Sequence, residues 1–328
     1  MTMKSRIRKA MGWTALALAI CAPGLAAAQA AWPQRPVRLV VPYPPGGTTD
    51  VLARLVAERL TTTLGQPVII DNRAGAGGTI GAAAVARSEP DGYTLVMATI
   101  ATHSIKPALG ETPYDAIADF QPVVNVADTP NVMLANVNTP YKTLSDVLTA
   151  ARAAPGTITF GSTSPGGSPH MSGELLQALA GVELVHVPYK GGAPMITDLI
   201  GGQVQLAFDN LPSSMPHINS GKVRALAVTT PTRWPDAPSI PTIAESGVEG
   251  YEVSAWFGIL GPAAMPRAVA DRVHQEVAQI LKDPAFAKRL LELGAQPSGI
   301  GPDEFRAMLV REIAKWREVA EKNKLVSK

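Results

Sequence analysis

Cysteine is almost missing from this 328-residue chain. The single one, Cys21, precedes everything that reads as folded domain. A body without thiols has no disulfide framework and no cysteine nucleophile, so core burial must stabilise it. An excess of either charge is missing too. Lys plus Arg is 29 and Asp plus Glu is 27, for a formal charge of +2. Aromatics are 5%, charged residues 17% and hydrophobic residues 46%, a globular balance that leaves disorder, coiled coil and collagen without support. No apolar run reaches the roughly 20 residues that span a bilayer.

The one concentrated run of charge is at the start. Lys4, Arg6, Arg8 and Lys9 precede an apolar run from Trp13 to Ile20, and Ala26-Ala27-Ala28-Gln29-Ala30 follows. This is the layout of a secretory leader cleaved after Ala28 or Ala30. A lipoprotein reading of Cys21 is weakened by Ile20, where a small residue belongs. Removing the four cations leaves 25 basic and 27 acidic residues, a net of about −2. The processed protein is therefore faintly acidic and lacks the basic stripe of a nucleic-acid binder. An exported chain without cysteines suits a periplasm.

From Val37 onward, β-branched runs alternate with helical periods, the pattern of parallel sheets covered by helices. Strands are expected at 37–41, 68–70, 94–98, 158–160, 184–187, 204–208, 223–228 and 252–260. Helices are expected at 48–64, 79–87, 143–153, 168–179, 193–200, 267–281, 285–293 and 303–321. Thr48 or Thr49 reads as the N-cap of the first helix. Asp128-Thr129-Pro130 reads as a turn-like break, and prolines 231, 235, 238 and 241 mark a second. The resulting expectation is an α/β protein of two domains, each a mainly parallel sheet flanked by helices, with two crossing strands at a hinge near 125–131 and 249–254. Its parts are a signal peptide at 1–30, a discontinuous first domain at 31–128 plus 251–328, and a second at 129–250.

Two turns repeat the same chemistry. Pro45-Gly46-Gly47-Thr48 follows the first strand, and Pro165-Gly166-Gly167-Ser168 follows Ile158 to Gly161. Each sets glycines and hydroxyls before a helix, whose first N–H groups and positive dipole end suit an anion. Facing each other across a cleft, the two would grip carboxylates without a cationic side chain. Taken singly, each is also an ordinary tight strand-to-helix turn. Tyr189-Lys190-Gly191-Gly192-Ala193 is a third such loop. Asp209, at the end of a strand, reads either as a helix cap or as a cleft residue accepting ligand hydrogen bonds. Tyr43 offers a ring wall or a core side chain.

Other chemistry is thin. The glycines from Gly75 fail the dinucleotide fingerprint because Ile80 stands where glycine is required; Asn72 and Arg73 there are candidates for a cleft edge. There is no phosphate loop and no G-x-S-x-G elbow, so no cofactor is expected. Ser162 or Ser164 with His170 keeps an exported hydrolase open as the competing class. His170 and Glu174, at i and i+4, are two ligands without a third. His103, His186, His217 and His274 read as surface or capping groups.

Several segments taken in order resemble one family. Val40 to Asp50 (VVPYPPGGTTD), Val68 to Gly78 (VIIDNRAGAGG), Pro188 to Gly192 (PYKGG), Gly202 to Asp209 (GQVQLAFD) and Gly221 to Val228 (GKVRALAV) are similar to stretches of the Bug-type extracytoplasmic solute receptors of tripartite tricarboxylate transporters. The resemblance implies a two-domain periplasmic binding protein of the Venus-flytrap kind, not an enzyme, that takes a small carboxylate to membrane permease subunits. It implies ligand contacts from Tyr43, Pro44, Gly46, Gly47, Thr48 and Asp50 in one loop and from Ser162, Thr163, Gly166, Gly167, Ser168 and His170 in the other. Asp209 matches a position that commonly helps set ligand type. Ser168-Pro169-His170 departs from the usual pattern. A periplasmic sensor for a two-component system would use the same cleft.

Overall fold

The computed structural model describes residues 32–325, so the leader read in 1–30 and Cys21 lie outside the described residues. The chain divides into Met1–Gln34 and a compact unit, Arg35–Lys328, that contains all the named elements.

In the first half, β1 (Val37–Val41), α1 (Thr48–Leu64), β2 (Val68–Asn72), α2 (Thr79–Ala86) and β3 (Thr94–Thr99) wind in βαβ fashion. Parallel pairing sets Val37 beside Val68 and Arg38 beside Thr94. On α1 the 3.6-residue period turns Leu52, Val56 and Leu60 inward, and none is more than 2% exposed. Each such side chain contributes about 1.5–3 kcal/mol of burial. A π-helical turn, Ala101–Ile105, runs from β3 into the short α3 (Lys106–Ala108).

The next strand, β4 (Phe120–Asn136), is 17 residues long and has no turn at Asp128-Thr129-Pro130, which corrects the break expected there. Pro130 lies where β4 changes partners. Through Pro130 the strand pairs antiparallel with β9 (Ser254–Pro262), and from Asn131 it pairs with β7 (Leu206–Asn210) and β8 (Val223–Val228). At a change of partner a missing N–H interrupts no ladder. The crossing therefore lies inside the expected 125–131 interval.

The second half repeats the winding with α4 (Leu144–Ala153), β5 (Thr159–Ser162), α5 (Ser168–Ala180), β6 (Val185–Pro188) and α6 (Gly192–Gly201) before β7. Sheet order is β2-β1-β3-β9-β4-β7-β5-β6. Val132, Leu134, Met195, Leu199 and Val228 fill its core. Two helices lie outside the expected set, the short α3 and α7 (Leu211–Asn219); Pro212 and Pro216 argue against α7, but Pro212 falls in the first turn, where no N–H is needed. The chain closes with α8 (Arg267–Lys282), α9 (Pro284–Glu292), β10 (Gln296–Pro297), which pairs with β4, and α10 (Pro302–Asn323). No described helix is long and apolar enough to cross a membrane.

Candidate functional site

The carboxyl ends of β1, β5 and β6 lead by glycine turns into α1, α5 and α6, whose N-terminal residues meet around one hollow. The caps are Gly47, Gly167 and Gly191, none with a side-chain cap, so Thr48 is the first helical residue rather than the N-cap. In α1 the first backbone bond is Val51 N–H to Gly47 O at 3.0 Å, and in α5 it is Met171 N–H to Gly167 O at 2.9 Å. The amides before these bonds have no acceptor within the helix.

Asp50 secures the first turn from behind. Its carboxylate accepts from Gly46 N–H at 3.0 Å, Arg54 Nε at 2.9 Å and Asn72 Nδ2 at 3.0 Å. Burial opposes its charge, but those hydrogen bonds outweigh it and hold the carboxyl below its ordinary range. Asn72 also donates to Tyr43 O at 3.0 Å, while Arg73 pairs with Asp71. Tyr43 donates its hydroxyl to Gly77 O at 3.3 Å and lies 3.2 Å from Thr99 Oγ1. Burial pushes the phenol up to about 12 despite the Thr99 bond.

A histidine pair backs the second turn. Gly166 N–H donates to His170 Nδ1 at 3.1 Å, and Nε2 lies 3.4 Å from Glu174. His170 stacks on His186 with ring centroids 4.0 Å apart, and His186 Nε2 is 2.8 Å from Ser162 Oγ. Burial, then proximity to His170, brings His186 down to about 4 against the opposing pull of Glu174. Ser162 thus partners His186 and is fully buried, and no histidine hydrogen-bonds Ser164 among the described residues. The serine–histidine pairing of the hydrolase alternative is not assembled. His103 is also no surface group: it is buried between Tyr114 and Phe120, and burial lowers it to about 3.

Asp209 lies at the end of β7. Its oxygens accept from Asn210 N–H at 2.8 Å, Ser213 Oγ at 2.7 Å and Ser214 Oγ at 3.1 Å. Burial raises the carboxyl to about 6 even so. Ser213 also accepts from Thr48 Oγ1 at 3.0 Å, and its own N–H donates to Thr48 Oγ1 at 3.2 Å. Asp209 is thereby linked through α7 to the start of α1.

Glycines form the rest of the seam. A Cβ on Gly191 would lie 3.4 Å from Pro44, and one on Gly46 would lie 3.8 Å from Ala193 Cβ. Inside the seam is a cavity of about 50 Å³, room for little more than a water or two. Tyr43, Pro44, Gly47, Thr48, Thr163, Gly167, Ser168 and Asp209 line it, whereas the buried Asp50, Ser162, Gly166 and His170 do not reach it and the exposed Gly46 lines a separate hollow with Gly192 and Ala193. Thr99, Ile100, Gly191, Asn210 and Phe257 also line it and were not selected from the sequence as ligand residues. For Gly191 the signal was the third glycine loop; Thr99 and Ile100 carry none beyond their place after a strand. Among the described residues Asp209 is the only ionisable acid or base side chain of the lining besides the Tyr43 phenol. Helix amides, not cations, are thus the groups available to an anion. Among the described residues no cluster of three or more His, Cys, Asp or Glu could hold a metal.

Comparison with known proteins gives the chain its relatives. The model of the tripartite tricarboxylate transporter family receptor matches residues 52–325. The protein BugT of Bordetella pertussis is 36% identical over 307 residues, 92% of this chain and 93% of that protein. The structure of Rpa4515 of R. palustris with adipate superposes with a TM-score of 0.87 at 41% identity, over 90% of this chain and 99% of the other. MatC of Rhodopseudomonas palustris with bound malate gives a TM-score of 0.83 at 33% identity, over 88% and 99%.

Proposed function

Because the chain belongs to the tripartite tricarboxylate transporter family of receptors, which are periplasmic solute-binding proteins, we propose that its glycine-lined seam captures a small organic carboxylate. The observation that carries the proposal is the meeting of uncapped helix starts from both halves of the sheet, Gly47-Thr48 and Gly167-Ser168, at one cavity without a lysine or arginine. Amide donors fixed by the fold need no reorganisation, and a dry enclosure strengthens their interaction with a carboxylate. Adipate in one relative and malate in another support the ligand class.

Residues 31–128 with 251–328 act as one lobe and 129–250 as the other, turning about β4 and the crossing near 249–254. Ligand binding stabilises the closed arrangement, and permease subunits in the membrane receive the cargo from it. The leader at 1–30 takes the chain across the inner membrane and is removed. The protein catalyses no reaction on its ligand. Affinities in the nanomolar to micromolar range are expected, on the order of −8 to −12 kcal/mol. Calorimetry over a panel of mono- and dicarboxylates tests the reading; a folded protein that takes up none of them overturns it.

A further inference from the structure

Beside the inner cavity is a second of about 840 Å³, and Tyr43, Pro44, Thr163 and Ser164 line both. The outer cavity contains what the inner lacks, a buried cation. Lys106 is 7% exposed and faces this space. An ammonium carries three donors, yet the only hydrogen bond the Lys106 ammonium makes among the described residues goes to Glu111 Oε2, at 3.3 Å. Burying a lysine with one such partner is unfavourable unless something else uses the charge.

The surroundings keep room for that charge. Gly77 and Gly166 come from different halves of the sheet. A Cβ on Gly77 would lie 2.5 Å from Lys106 Cε, and one on Gly166 would lie 2.8 Å from Nζ. The ammonium is therefore seated where the halves meet. Tyr43, Ala76 and Pro165, surfaces suited to a methylene chain, line the same space as the ammonium. At the opposite end Asp209 disfavours a second negative charge.

From this placement we propose that the outer cavity is a second carboxylate subsite, in which Lys106 reads the far acid of an extended dicarboxylate and Glu111 occupies the ammonium until that acid arrives. The proposal rests on the carboxylate reading above and deepens it, since it assigns the ligand two acids separated by an apolar spacer.

The test is calorimetry with two six-carbon acids, adipate and hexanoate, which differ only in the far carboxylate. The wild-type protein is expected to bind adipate at least tenfold more tightly. Lys106→Met should bring the ratio of the two affinities to about one. Glu111→Gln, which removes the competing anion and leaves the lysine in place, should raise the ratio severalfold and decides the matter if Lys106→Met does not fold. Hexanoate bound as tightly as adipate by the wild-type protein, or a ratio unmoved in the folded variants, overturns the subsite and leaves the carboxylate reading intact. Binding of neither acid to folded protein overturns the subsite, and the carboxylate reading then rests on the wider panel.

Discussion

Asp209 is the residue at which ligand chemistry and proton chemistry meet. Its carboxyl, raised to about 6 by burial, binds a proton in the folded protein at pH values where the unfolded chain has released it. Its contribution to stability is therefore greatest below pH 4 and is lost as pH rises through 6. The same sign holds for an anionic ligand, which meets a neutral acid below pH 6 and a carboxylate above it. For a ligand acid that stays ionised, affinity should strengthen severalfold from pH 7.5 to 5.5, and calorimetry on Asp209→Asn should give a flatter profile. Thr48 and Ser213 form the second residue-scale prediction. Ser213→Ala or Thr48→Val should each speed ligand release about 3–10-fold, the effect of one hydrogen bond of about 1 kcal/mol. The double variant should add little, as stopped-flow dissociation would measure. Asp209, Tyr43 and Thr48 were legible in the sequence because glycine turns and strand ends flag them. Ser213 and Lys106 were not, since one is in a helix with two prolines and the other follows a π-helical turn that no periodicity announces.

Helix ends repeat the contrast at the scale of elements. At α4, away from the cavity, Thr143 accepts from Asp146 N–H and Asp146 accepts from Thr143 N–H, a complete capping box. At α1, α5 and α6, where the cavity is, glycine stands in the same position and caps nothing with a side chain. Thr143→Ala should lower stability by about 1 kcal/mol in denaturant titration while leaving ligand affinity alone. Most elements were legible to within a residue or two because their apolar periods are clean, α1 over Thr48–Leu64 and β8 over Val223–Val228 among them. Those that were not share a cause. Turn-forming residues at 128–130 and Pro212 of α7 have strong local preferences, which a change of strand partner and a first-turn position respectively accommodate, while Pro216 stands inside the helix.

For the whole molecule, the seam offers a way to lock the two halves together. The Cβ position of Gly46 is 3.8 Å from Ala193 Cβ, the mean separation of a disulfide, and the chain after Cys21 has no other thiol to interfere. Gly46→Cys combined with Ala193→Cys should cross-link under oxidation even though φ of +89° at Gly46 strains any side chain by about 1–2 kcal/mol. Formed with ligand inside, the bond should slow escape by orders of magnitude, and formed without ligand it should block uptake; reduction should reverse both. Two-lobed architecture was readable from the restarted βαβ pattern. The fit of one lobe's glycines against the other's was not, because backbone surfaces that touch across a seam leave no period in the chain.

The unbroken run of β4 has a thermal consequence. One continuous strand belongs to both halves of the sheet, so neither half can melt without pulling residues from the core of the other. Heating should then give a single calorimetric peak whose van't Hoff and measured enthalpies agree, where two independently folding pieces would give a split or broadened trace.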